Sequence, residues 1–99
     1  MTFHAKNNRC DVILHHALNM PRNVIELAFY QQNLRLNGNL LTKKSHLANI
    51  GDVLDLIVRR DENSVEYGKR VIVKDIQDND SKIKKTILIE CIRAIKPLE

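Results

Sequence analysis

Pro21 to Asp52 reads P-R-N-V-I-E-L-A-F-Y-Q-Q-N-L-R-L-N-G-N-L-L-T-K-K-S-H-L-A-N-I-G-D, and this stretch decides the fold. Its proline suits the first turn of a helix and disfavours helical geometry at Met20 before it. The helix that follows begins near Arg22 or Asn23 and is expected to bury Val24, Ile25, Ala28 and Phe29, which recur at helical spacing. Gln31-Gln32-Asn33 ends it, with Asn33 the expected left-handed residue. Asn37-Gly38 then sits between Leu34-Arg35-Leu36 and Leu40-Leu41, the strongest short-range hairpin signal, because a type I′ turn needs positive φ at both central residues. Lys43 and Lys44 follow directly, and Ile50-Gly51-Asp52 turns the chain into an apolar strand, Val53 to Val58.

Upstream, Asp11 is expected to cap a short helix that places Ile13, Leu14, Ala17 and Leu18 on one side and His15, His16 and Asn19 on the other. Residues 1–8 read as a polar, flexible lead-in. Downstream, Arg59 to Ser64 reads as a surface loop. Lys69 to Ile76 and Lys82 to Ile95 are β-rich runs joined at Asp78-Asn79-Asp80-Ser81, a second and longer hairpin. Two short helices cannot stand alone and must pack on each other and on a sheet. The fold class is therefore α+β: two short helices on a small, mostly antiparallel sheet with a C-terminal hairpin extension. Residues 9–60 form the core unit and 61–99 the extension of the same domain.

At 99 residues the chain suffices for one modest core. Its net charge of +4 is unevenly spread. Residues 1–60 carry eight Lys and Arg against four acids, and residues 61–99 carry eight of each. The positive excess belongs with the central stretch and suits a polyanionic partner such as RNA, although ordinary surface basicity would give the same total. Cys10 and Cys91 form no closely spaced pair, which argues against a zinc knuckle or a disulfide framework. His15 and His16 are adjacent and point to different parts of a helix, so no metal-ligand spacing arises. No glycine-rich phosphate loop, activated nucleophile or carboxylate pair stands out. The reading is non-enzymatic, with no cofactor, no metal and no membrane span, and a monomer is expected. Residues 1–9 carry neither an apolar signal core nor an Arg/Ser-rich presequence.

The order helix, break, Arg-bearing helix, Asn-Gly hairpin, lysine pair and Gly-Asp turn resembles the RNA-binding domain named after the S-four protein of the small ribosomal subunit, the αL motif. The matching pieces are Arg9-Cys10-Asp11, Pro21-Arg22-Asn23, Leu36-Asn37-Gly38 and Gly51-Asp52-Val53. Two positions depart from that pattern: Pro21 stands where a capping serine is usual, and Asn33 where glycine is usual. The runs R-C-D-V-I-L, P-R-N-V-I-E-L-A-F-Y, L-R-L-N-G-N-L-L-T-K-K-S and G-D-V-L-D-L-I are closer still to the C-terminal domain of the mitochondrial transcription rescue factor family. That resemblance implies a mitochondrial matrix protein that binds structured ribosomal or transfer RNA, associates with the large mitoribosomal subunit, and supports rescue of stalled translation and mitochondrial gene expression.

On this reading the start of the second helix faces the RNA backbone, where unpaired amides and the helix dipole favour anions. Arg22 adds a phosphate grip, beside Asn23, and Lys43 and Lys44 reach the same groove. Each has a plainer reading: a local bond for Arg22, a solvated loop for the lysines. Arg35 is either a further contact or half of a cross-strand pair, Arg9 either an RNA contact or the partner of an acid, and Lys6 a weak phosphate contact. Arg59 and Arg60 are expected to face solvent, neutralised by Asp61 and Glu62. Two other functions compete: a protein-interaction domain offering the edge of the C-terminal hairpin for β-augmentation, and the accessory domain of an RNA-modifying enzyme.

Overall fold

A computed structural model describes residues 1–79 and 84–98. In chain order these form β1 (Thr2–Ala5), α1 (Cys10–Leu18), α2 (Arg22–Tyr30), β2 (Leu34–Leu36), β3 (Asn39–Leu40), β4 (Val53–Arg60), β5 (Glu66–Asp78) and β6 (Lys85–Pro97). The strands make one antiparallel sheet in the order β1-β6-β5-β4-β2-β3. The α+β architecture expected from the sequence is the one observed.

The side-chain alternation of the strands decides where the helices sit. Leu34, Leu54, Leu56, Val71, Val73, Ile87 and Ile89 are all buried on the face that meets α1 and α2. Helix α1 is buried almost all round, including Cys10, Val12, Ile13, Leu14, Ala17 and Leu18, because it is sandwiched between α2 and β6. Helix α2 buries only Ile25 and Ala28 fully, with Val24 and Phe29 half-buried, so most of its surface is left to solvent.

The Asn37-Gly38 turn has the expected geometry, with φ of 52° and 85°. Asn37 does a second job. Its amide nitrogen donates to Asp52 Oδ1 at 3.0 Å, and its Oδ1 accepts from the Val53 amide at 2.8 Å. Asp52 Oδ2 in turn accepts from the Asn49 amide at 2.8 Å. The hairpin and the Ile50-Gly51-Asp52 turn are thereby locked together, which fixes both ends of the loop that carries Lys43 and Lys44.

Several expectations need correcting. Residues 2–5, assigned to a flexible lead-in, are the edge strand β1, paired with β6 from Thr2↔Leu88 to Ala5↔Lys85, with Phe3 and Ala5 buried. Arg9, not Asp11, is the N-cap of α1, and it makes no side-chain cap bond. Asp11 lies in the first turn, where its charge still complements the helix dipole and its Oδ1 accepts from the Val12 amide. Arg59 and Arg60 belong to β4 rather than to a loop: Arg59 lies 3.9 Å over the Tyr67 ring and Arg60 pairs with Glu66. The strands of the second hairpin are 13 residues each: β5 extends beyond the expected Lys69 to Ile76 at both ends, β6 runs to Pro97 rather than Ile95, and at about 3.3 Å per residue they account for most of the 50 Å long axis. Of the turn expected at Asp78 to Ser81, Asp80 and Ser81 lie outside the described residues.

Helix α2 ends one residue earlier than its asparagine suggests. Gln32 takes the left-handed conformation at φ 62°, its amide bonds to Phe29 O at 3.0 Å, and the Asn33 amide bonds to Ala28 O at 2.9 Å. This is a Schellman close with a glutamine in the position that favours glycine. A non-glycine residue in this conformation costs about 1 kcal/mol. Gln32→Gly is therefore expected to raise stability by roughly that amount in denaturant unfolding, while Asn33→Gly lowers it.

Gly68 on β5 is required by a close approach. A Cβ there would stand 1.9 Å from the backbone oxygen of Leu56, so β4 and β5 could not keep their spacing. The ladder slips by one residue just beyond, between Ile57 and Arg59.

Candidate nucleic-acid interface

The start of α2 stands clear of the protein, with Pro21, Arg22 and Asn23 all exposed. Pro21 is the N-cap and offers no side-chain bond. Its carbonyl accepts from Val24 and Ile25, at 3.0 and 3.2 Å, which leaves the Arg22 and Asn23 amides directed outward without a backbone acceptor among the described residues. Such a terminus favours anions.

Residues 8–10 are strapped to the lysine loop. The Cys10 amide donates to His46 O at 2.9 Å, the Ala48 amide to Asn8 O at 2.8 Å, and Arg9 bridges to Leu47. This brings the beginning of α1 and residues 43–47 onto one side of the molecule. Arg9 makes a two-pronged pair with Asp11, Nε to Oδ1 at 3.0 Å and Nη2 to Oδ2 at 2.8 Å. Arg22 approaches the same carboxylate only to 3.7 Å, and its side chain is 59% exposed. Asp11 therefore neutralises Arg9 first and leaves Arg22 available.

Lys44 reaches α2 directly. Its ammonium lies 3.2 Å from Glu26, donates to the Tyr30 hydroxyl at 3.5 Å, and sits 5.2 Å from the centre of the Tyr30 ring. The bond to Glu26 raises its pKa above the ordinary lysine value against the opposing desolvation, with a lesser contribution from the Tyr30 hydroxyl. Lys43 is exposed and has no ion pair or side-chain hydrogen bond among the described residues. The side thus gathers Arg9, Arg22, Lys43 and Lys44 against two carboxylates, Asp11 and Glu26.

One residue nominated from the sequence does not join them. Arg35 alternates with the core residues Leu34 and Leu36, so it faces the opposite side of the sheet. There it donates to Gln32 O at 2.8 Å and shares Glu66 with Arg60. Lys6 is exposed in the bend after β1, with no ion pair or side-chain hydrogen bond among the described residues. Arg35 belongs to a charged layer that also holds Asp55 and Arg70, directly opposite one another across β2, β4 and β5. Asp55 is 3% exposed and accepts two bonds from Arg70, at 2.8 and 3.1 Å.

Tyr30 is not among the site residues read from the sequence. The structure leaves it 65% exposed at the end of α2, beside a groove of about 270 Å³ lined by Phe29, Gln32, Leu40, Leu41 and Thr42. An aromatic two residues beyond the last buried position of an amphipathic helix was the available signal.

His15 donates from Nδ1 to Met20 O at 2.6 Å, and His16 stacks on Phe3 with ring centres 4.8 Å apart. Burial first, then His15 and Arg22, lower the His16 pKa below its ordinary 6.5. The unfolded chain therefore takes up this proton at higher pH than the folded one, so the His16 contribution to stability is intact above about 6.5 and is lost on acidification below it. His16→Gln is expected to flatten that part of a stability profile measured by denaturant midpoint between pH 7.5 and 5. The Cys10 thiol, pushed up to about 12 by burial and by Asp52 and Asp11, is not a nucleophile at neutral pH. Among the described residues no cluster of three or more His, Cys, Asp or Glu is placed to hold a metal ion, and no helix is long and apolar enough to cross a membrane.

Residues 2–99 match the family described as mitochondrial transcription rescue factor 1, C-terminal domain. The chain is similar to mitochondrial transcription rescue factor 1 of Mus musculus, 41% identical over 78 residues, and to that of Homo sapiens, 38% identical over 78 residues. Each match covers 78% of this chain and 32% of the relative, so the chain spans about a third of the length of these curated relatives. Helices, hairpin, Gly-Asp turn and long C-terminal strands all lie within the matched residues, and the chain belongs to the family of the mitochondrial transcription rescue factor 1 C-terminal domain.

Proposed function

We propose that this domain is a non-enzymatic RNA-binding module that holds the sugar-phosphate backbone of structured RNA with the start of α2, Arg22, Lys43 and Lys44. The observation that carries this reading is the free cationic group at an open helix start: Arg22 held only loosely, Lys43 unpaired among the described residues, and amides pointing outward. Backbone phosphates fit such a site because amides, a guanidinium and ammonium groups all donate, and none selects a base. Arg9 is a supporting residue that fixes Asp11, and Arg35 lies outside the grip.

The relatives carry the name mitochondrial transcription rescue factor 1, which supports a mitochondrial setting for this activity. We extend this to the matrix, with ribosomal or transfer RNA as ligand, the large mitoribosomal subunit as the assembly, and rescue of stalled translation as the process. The competing use of the C-terminal hairpin as an edge for an added strand has less support. β1 already occupies β6 from Lys85 to Leu88, and the remaining edge carries an irregular register, Lys96 and Pro97, features that blunt an edge.

The test is a titration of the domain at several salt concentrations against structured RNA, single-stranded RNA and duplex DNA. Salt-dependent binding that favours structured RNA is the expected result, with a log–log slope corresponding to about three phosphate contacts. Binding that ignores salt would contradict it.

A further inference from the structure

We propose that the groove beside Tyr30 is a subsite for one unpaired nucleobase of the bound RNA, stacked on the Tyr30 ring while its phosphate is held by Lys43 and Lys44. This rests on the RNA-binding reading above and adds to it a component that recognises unpaired structure.

Burial does not explain the position of Tyr30. It is 65% exposed, and the core closes on α2 without it through Ile25 and Ala28. The ring is nevertheless held in place. Phe29 meets it edge to face at 5.4 Å, and Lys44 bonds its hydroxyl and sits over its ring. An exposed aromatic with its orientation fixed has given up its rotamer freedom before any ligand arrives, so a planar partner can stack at little further entropic cost.

The surroundings match a nucleotide rather than a peptide or an apolar ligand. The groove, about 270 Å³, is smaller than the roughly 300 Å³ at which drug-sized sites begin, a size suited to a single ring system. Leu40, 41% exposed, offers it an apolar wall. Gln32 and Thr42 bring an amide and a hydroxyl to the same groove, able to donate to or accept from a base edge. The lysines directly follow Thr42, so cations stand where a base lying in the groove would place its phosphate. A planar ring tied to an anion is the ligand that uses all of these groups together. Stacking of this kind tolerates any base, because each has a π face.

The test uses two RNAs differing only by a single-nucleotide bulge carrying 2-aminopurine, titrated with the protein and its Tyr30→Ala and Tyr30→Phe variants. The expected result is tighter wild-type binding to the bulged RNA, with 2-aminopurine fluorescence quenched on binding. Tyr30→Ala loses about tenfold on the bulged RNA and almost nothing on the paired one. Tyr30→Phe keeps the ring and with it the preference. Equal affinity of wild-type protein for the two RNAs, or a Tyr30→Ala loss that is the same on both, would overturn the subsite and leave the phosphate grip standing. Failure of the wild-type protein to bind either RNA would overturn both.

Discussion

Replacing Arg22, Lys43 and Lys44 together by alanine is expected to weaken binding to structured RNA by one to two orders of magnitude at low salt, and to lower the slope of log affinity against log salt by roughly two to three. The two effects share one cause. Each phosphate neutralised by a side chain releases condensed counterions, so losing the cation removes both the affinity and its dependence on salt. The single variants should differ. Lys43 has no carboxylate to release among the described residues, and its loss is felt only by the RNA. Lys44→Ala frees Glu26, so an anion appears where a cation stood, and its effect should exceed that of Lys43→Ala. Arg9→Ala weakens binding for a different reason, because it leaves Asp11 to claim Arg22 more closely. All these side chains except Arg9 lie on surface positions of α2 or its facing loop, so the folded fraction should be unchanged. A triple variant that folds normally and binds with unaltered affinity and slope would place the RNA elsewhere.

Arg70→Ala is expected to destabilise the fold by about 3 kcal/mol, which in a domain of this size is a drop in Tm of roughly 12 °C or more. The Asp55 carboxylate is 3% exposed and receives both of its short bonds from this guanidinium, so removing Arg70 strands a charge in the sheet. Asp55→Asn should cost less. It leaves behind an arginine whose side chain is 29% exposed and able to hydrate, and an amide that still accepts one bond. Replacing both by leucine should recover much of the loss, because the desolvation of the pair disappears with it. Thermal and denaturant unfolding of the three variants and the wild type measure the asymmetry. A loss below 1 kcal/mol for Arg70→Ala would mean that Asp55 finds another donor, with Arg35 directly across β4 the first candidate. Neither Asp55 nor Arg70 belongs to the proposed grip, so RNA affinity measured well below the melting range should stay unchanged.

The features legible in the sequence were those written in local chemistry. Pro21 starts α2, Asn37-Gly38 turns the hairpin, and Gly51-Asp52 leads into β4, each because few residues tolerate those backbone geometries. What escaped was set by partners far along the chain. β1 contributes only Phe3 and Ala5 to the core, too few positions to show an alternating pattern, and its strand character comes from pairing with β6, 80 to 86 residues away. For Arg35 the sequence leaves a phosphate contact and a cross-strand pair both open, and only the delivery of Glu66 by β5 decides for an ion pair. The left-handed residue after α2 fell on Gln32 rather than Asn33 because the closing bonds of the helix, from Phe29 O and Ala28 O, set the position before residue preference can.

The site was legible to a similar degree. Arg22, Asn23, Lys43 and Lys44 are nominated from their places around a helix start and a hairpin, and the structure sets Arg22 near Asp11 and Lys44 against Glu26 of the same helix. That Lys44 is shared with Glu26 and Tyr30 depends on how the loop folds back over α2, which the strap between residues 8–10 and 46–48 determines. No local pattern encodes that strap.

The most direct test of the proposed interface is an amide chemical-shift map of the domain titrated with a structured RNA hairpin. The shifts are expected to concentrate on residues 22–24, 30 and 42–47, with smaller changes at Arg9 and Asp11, while the long strands β5 and β6 stay silent. Shifts centred on residues 66–78 and 85–97 would contradict it and assign RNA binding to the C-terminal hairpin instead.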